Sequence, residues 1–133
     1  MSLVQSMMHE TEFAIYLDVE LLRGLEDLSP PGPDSLVSEL TNLFTESTPA
    51  LLKELNTAVV SGQVLVASRL AHRLKGSSAN IGAKHMSVLC AQLEKSAQVN
   101  PADDNLKLVE QITASFTAST KVLQAHIKAS RQK

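Results

Sequence analysis

The stretch Ala71-His72-Arg73-Leu74-Lys75-Gly76-Ser77-Ser78-Ala79-Asn80-Ile81-Gly82-Ala83 reads as a helix with a histidine on its outer face. At about 100° per residue, Leu70, Leu74 and Ile81 lie opposite His72. Ala67, Ser77 and Ser78 flank that apolar stripe. Leu65, Ser68, Arg69, Lys75, Gly76 and Ala79 share the face of His72. The core side is therefore opposite, and the imidazole points to solvent. Gly76 has no packing reason on such a face, and it costs about 1 kcal/mol against alanine. Bare backbone one turn from an exposed imidazole suggests that something bulky approaches the ring.

Neutral imidazole is nucleophilic near neutral pH, so a covalent intermediate on His72 is chemically accessible. Lys75, one turn on, would neutralise an anion carried by the ring, and Arg69 would add to that field. The pattern suits a phosphoryl group. It equally suits an ordinary surface histidine beside an ordinary lysine, and spacing alone does not separate the two.

The full string closely resembles the signature of histidine-containing phosphotransfer (HPt) domains, His-x-x-Lys-Gly-(Ser/Ala)-(Ser/Ala) followed by a helix-ending Gly. The likeness extends more weakly over about residues 18–128, as an order of helices. It implies that His72 is the phosphorylated residue, Lys75 its electrostatic partner and Gly76 the residue leaving room for the partner protein.

Composition agrees. A chain of 133 residues with 44% apolar content supports one domain with one core. Three Phe, one Tyr and no Trp favour helices over a β-sandwich. A net charge of −2 argues against a general nucleic-acid binder. The single Cys90 excludes an internal disulfide and suits a reducing, cytoplasmic compartment. No apolar run approaches the roughly 18 residues of a membrane span. Metal-ligand spacing is absent, as is a Gly-Lys-(Ser/Thr) phosphate loop, so neither a metal nor ATP-dependent self-phosphorylation is expected.

Punctuation divides the chain. Residues 1–17 show no strong period and are expected to be loosely held. Asp18 caps a short helix over 19–28, which Ser29-Pro30-Pro31-Gly32-Pro33 stops. Asp34 is expected to cap a second helix, with Leu36, Leu40, Leu43, Ser47, Leu51, Leu55 and Val59 as its apolar stripe. That stripe continues through Pro49, so one kinked helix is expected, ended by Gly62. The His72 helix spans about 63–81 and closes at Gly82. A fourth long segment starts near Lys84, with Met86, Leu89, Cys90, Leu93 and Ala97 inward. Asp103 is expected to cap a last helix carrying Val109, Ile112, Phe116, Leu123 and Ile127, with 129–133 as a tail. Four long amphipathic helices with short connections give an all-α, antiparallel up-down-up-down bundle with a short amino-terminal helix.

If the chain reverses at 82–83, residues equidistant from the turn are level. Glu94 then stands beside His72. A carboxylate there would accept a hydrogen bond from one ring nitrogen and free the other. Members of the family often carry Gln at that place. A carboxylate favours the charged imidazole and would also repel an incoming phosphoryl group. A solvated Glu paired with a nearby cation is the competing reading. Among the other histidines, His9 lies in the loose segment, His85 begins a helix, and His126 suits the carboxy-terminal helix dipole.

The resemblance implies a carrier rather than a complete enzyme. A response-regulator receiver domain would bring the phospho-aspartate and Mg²⁺, and no cofactor is expected on this chain. A docking face would lie around Leu65, Ser68, Arg69, Ala79 and the amino-terminal helix. A hybrid sensor histidine kinase containing this chain is a further partner the resemblance admits. Two alternatives stay open. One is a chemotaxis-type acceptor domain charged in trans by an ATP-binding domain. The other is a helical interaction module that carries no phosphate.

Overall fold

The computed structural model describes residues 12–29 and 34–131. After helical residues 12–16, the described residues form five helices: α1 (Val19–Leu28), α2 (Leu36–Val60), α3 (Val64–Asn80), α4 (Lys84–Ser96) and α5 (Ala102–Arg131). Helices α2 to α5 form a closed ring, each packing on the next and α5 returning to α2. Their connections are short, so neighbours run antiparallel. The expected four-helix bundle with a short amino-terminal helix is what the chain forms, and α1 packs against α2.

The core is aliphatic. Leu22, Leu55, Leu74, Ile81, Met86, Leu93, Ile112 and Leu123 are fully buried. One aromatic pair spans α2 and α5: Phe44 and Phe116 meet edge to face with centroids 5.3 Å apart. Such a contact contributes about 0.5–1.5 kcal/mol beyond its buried area.

Several expectations about α2 need correction. Its buried side runs through Val37, Ser38, Thr41, Phe44, Thr48, Leu51, Leu52, Leu55, Ala58 and Val59, whereas Leu43 and Ser47 are exposed. Two stripes with similar spacing compete on this helix. The buried one is disguised by polar Thr41 and Thr48, and it wins because it turns Phe44 inward. The cap is Ser35 rather than Asp34: its side chain accepts from the Ser38 amide at 3.1 Å. As expected, a single helix continues through Pro49.

The edges of the packed region also differ. Residues 12–16 are helical, Leu17 is fully buried, and Phe13 and Tyr16 pack against the core. The segment expected to be loose is thus tied down over 12–17, while 1–11 and the Pro-rich residues 30–33 lie outside the described residues. At the other end α5 continues past 128 to Arg131. Asp103 lies inside the first turn of α5, beside Asp104, where acidic side chains complement the helix dipole. The α4–α5 connection is held by buried Asn105. Its amide donates to the carbonyls of Ser96 and Asn100, each at 3.3 Å, and its oxygen accepts from Ser96 Oγ at 2.8 Å.

The α3–α4 turn sets the register of the site. Gly82 adopts φ +78°, the amide of Ala83 donates to Ser78, and that of Gly82 to Ala79. This is a Schellman closure, which needs a left-handed residue. The amide of Asp18 donates to the Gly82 carbonyl at 2.7 Å, which seats α1 on the turn. Gly62 closes α2 in the same way with φ +73°. A Cβ at Gly82 would lie 3.2 Å from Leu21 Cδ2, whereas at Gly62 it would meet open space. Gly82→Ala should therefore cost more than Gly62→Ala. Left-handed strain alone is about 1–2 kcal/mol, or about 4 °C of melting temperature per kcal/mol. Thermal unfolding of the two variants checks the order; equal losses would show that the contact with Leu21 contributes nothing.

Candidate functional site

The core face of α3 is Ala67, Leu70, Ala71, Leu74 and Ser78. His72 consequently faces out, with 68% of its side chain exposed. Leu65, Arg69, Gly76 and Ala79 are exposed on the same side, and Ser68 and Lys75 are half-buried. Buried Ser78 is satisfied within α3, donating to the Leu74 carbonyl at 2.7 Å.

Two hydrogen bonds pin α4 to α3 around His72. Ser68 Oγ donates to the Glu94 carbonyl at 3.1 Å, and Ser87 Oγ to the Lys75 carbonyl at 3.3 Å. Counting from the turn placed Glu94 level with His72, and the two do meet: Nδ1 lies 2.7 Å from Glu94 Oε1. The other carboxylate oxygen accepts from Lys75 Nζ, also at 2.7 Å. The hydrogen bonds from Lys75 and then His72 hold the Glu94 carboxyl below its ordinary value. Stability from this contact is present above the ordinary carboxylate pKa and is lost as pH falls through the lowered one.

These contacts decide the tautomer. An ionised carboxylate only accepts, so Nδ1 carries the hydrogen. In the neutral ring the lone pair is then on Nε2, on an exposed surface. Gly76 lies one turn away, and a Cβ built on it meets nothing within 4 Å. A ligand or protein can approach the ring over bare backbone.

Sequence reasoning missed the Ser68 tether, although Ser68 and Glu94 straddle about the same level of the α3–α4 pair. The two readings of Glu94, beside the imidazole and paired with a nearby cation, both hold, because one carboxylate oxygen serves His72 and the other Lys75.

The other histidines have structural partners. His85 Nδ1 lies 2.7 Å from Ser115 Oγ, and the ring meets Tyr16 edge-on. His126 Nε2 lies 2.5 Å from Glu26 Oε1, and Phe13 packs on the ring with centroids 5.0 Å apart. His126 therefore ties α1 to α5, a tertiary role that replaces the expected helix-dipole one. His9 lies outside the described residues. Cys90 is buried, which pushes its thiol up to about 12. Among the described residues no three His, Cys, Asp or Glu side chains converge as a metal site, and no helix is long and apolar enough to cross a membrane.

Comparison with known proteins gives a consistent result. The Hpt domain family model matches residues 39–132. The chain is similar to histidine-containing phosphotransfer protein 2 of Arabidopsis thaliana, with 26% identity over 103 residues, covering 75% of this chain and 66% of that protein. It is similar to histidine-containing phosphotransfer protein 1 of Oryza sativa subsp. japonica, with 27% identity over 122 residues, 90% of this chain and 83% of that one. Among solved structures it resembles histidine-containing phosphotransfer protein B of Pseudomonas aeruginosa PAO1, with a TM-score of 0.75 at 24% identity over 86% of this chain and 96% of that one. A putative histidine-containing phosphotransfer protein from rice gives a TM-score of 0.76 at 21% identity, over 96% of this chain and 98% of that one. At those identities the two structures speak for the fold. The family match spans most of the chain and the bundle agrees with it, so this chain belongs to the Hpt domain family and its role is phosphotransfer in a phosphorelay.

Proposed function

We propose that His72 accepts a phosphoryl group on Nε2 from the phospho-aspartate of a response-regulator receiver domain and passes it to the aspartate of another. One observation carries the reading: an exposed imidazole has Nδ1 committed to Glu94, Nε2 free, a lysine beside it and open space over Gly76. His85 and His126 lack that surrounding.

The chain acts as a carrier. The donor receiver, free or within a hybrid sensor histidine kinase, brings Mg²⁺ and the residues that activate phosphorus. This chain brings the nucleophile, the counter-charge of Lys75 and a docking face. Leu65, Arg69 and Ala79 are exposed around the ring and form that face; Ser68 is drawn instead into fixing Glu94. The exposed cations Arg69, Arg73 and Lys84 would steer an acidic partner. A free buried thiol is in keeping with a cytoplasmic setting.

Incubation with a phosphorylated receiver domain, compared with an ATP-binding kinase domain supplied with ATP, tests the reading. Acid-labile label from the receiver is the expected result. Label from the kinase domain alone would reassign the chain as a kinase acceptor domain, and none from either would leave a helical interaction module.

A further inference from the structure

We propose that the bundle opens at the seam between α2 and the second half of α5: this part of α5 parts from α2 while α3 and α4 stay joined around His72. The inference does not depend on which partner charges His72.

Four hydroxyls motivate it. Thr41 and Thr48 on α2, and Ser119 and Thr120 on α5, have side-chain oxygens that are shut off from water and have no hydrogen-bond partner. Among the described residues no other buried side-chain oxygen or nitrogen is left so. All four belong to one antiparallel helix pair. Phe44 and Phe116 meet across it and fix its register. Three residues back along α2 and three residues on along α5 bring Thr41 level with Ser119, and Thr120 follows. Thr48 lies one turn to the other side of Phe44 and is fully buried. Elsewhere on these helices a hydroxyl donates to the carbonyl four residues back, as Thr45, Ser47 and Thr57 do on α2 and Thr113 and Thr117 on α5. The four at the seam do not.

A buried hydroxyl without a partner has given up its hydrogen bonds to water and gained none in return. Opening restores them, so each of the four lowers the free energy of parting α5 from α2. The neighbouring seams are built differently. Ser68 and Ser87 tie α3 to α4 through backbone carbonyls, and Glu94 ties them through its side chain. Asn105 and Ser115 tie the first half of α5 to α4. Beyond Ser115 the His126 contact with Glu26 runs to α1, not to α2. At the Thr41 end a groove of about 340 Å³ already separates Ser38, Thr41 and Asn42 of α2 from Gln124, Ile127 and Lys128 of α5. Water therefore has a short way into the seam. Because α2 and α5 meet across the ring from the α3–α4 pair, opening there leaves the contacts around His72 in place.

Native-state amide exchange of the whole chain, followed by NMR at rising but sub-denaturing guanidinium chloride, tests this. Protection at Ser119, Val122 and Leu123 of α5 should be at least about tenfold lower than at Leu70 and Leu74 of α3 and at Cys90 and Leu93 of α4. It should also depend less on denaturant, because a partial opening exposes less surface than global unfolding. Thr41→Val and Thr48→Val keep the shape of the side chain and remove the unpaired oxygen. Each should slow exchange at Ser119, Val122 and Leu123 by about tenfold. Thr113→Val, which removes a hydroxyl already bonded to the Val109 carbonyl, should not slow it. Equal protection and equal denaturant dependence in α5 and in α3 and α4 would overturn the proposal. So would folded Thr41→Val and Thr48→Val chains whose α5 exchanges as fast as the native one.

Discussion

Replacing His72 with Gln abolishes acid-labile phosphorylation by a phosphorylated receiver domain and leaves the bundle folded. The loss should be complete. Glutamine has no lone-pair nitrogen to form an N–P bond, and no other described histidine is equipped to substitute. His85 and His126 have their rings engaged by Ser115 and by Glu26 with Phe13. The stability cost should be small. The ring is mostly exposed, and an exposed ion pair is worth about 0–1 kcal/mol. Gln is at least as good a helix former as His. Label retained by a folded His72→Gln variant would refute the assignment of the acceptor. Loss of label together with loss of helicity would refute the claim that His72 carries no structural load.

Much of this site was legible because helical geometry is regular. Apolar spacing on either side of His72 predicts which face of α3 is buried, and Leu70, Ala71 and Leu74 lie there. A glycine that ends a helix marks a reversal, so counting outward from Gly82 brought together two residues 22 apart in sequence. What failed did so where local pattern and tertiary context disagree. On α2 the period fits two faces, and hydropathy prefers the one through Leu43 over the one through Thr41 and Thr48. Packing settles the matter by burying Phe44 against Phe116. Caps are ambiguous where two candidates adjoin, as with Asp34 and Ser35, because the choice depends on backbone angles that residue type does not encode. Residues 12–17 are apolar at every position but Glu12, and so short and unbroken a run shows no period. Their burial comes from distant partners, His126 for Phe13 and His85 for Tyr16.

Gly76 separates stability from function more sharply than any other position in α3. By helix propensity, Gly76→Leu should stabilise the chain by up to about 1 kcal/mol. The structure removes the usual objection, since a Cβ there meets nothing within 4 Å and φ is not positive. The melting temperature should therefore stay level or rise by about 4 °C. Transfer should move the opposite way. Leucine at 76 stands one turn from the ring, over the route by which a receiver must bring its aspartyl phosphate to Nε2. In-line attack needs phosphorus near van der Waals contact with nitrogen, and an error of about 1 Å in such an approach can cost about 100-fold in rate. Gly76→Ala, which adds one methyl group, should fall between. Single-turnover transfer from a phosphorylated receiver, measured beside thermal unfolding, reads both quantities on the same samples. Phosphoramidate supplies the control, because so small a donor needs no flat approach and should still label His72 in Gly76→Leu. A Leu variant that takes phosphate from the receiver at the native rate would show that the partner does not pass over Gly76.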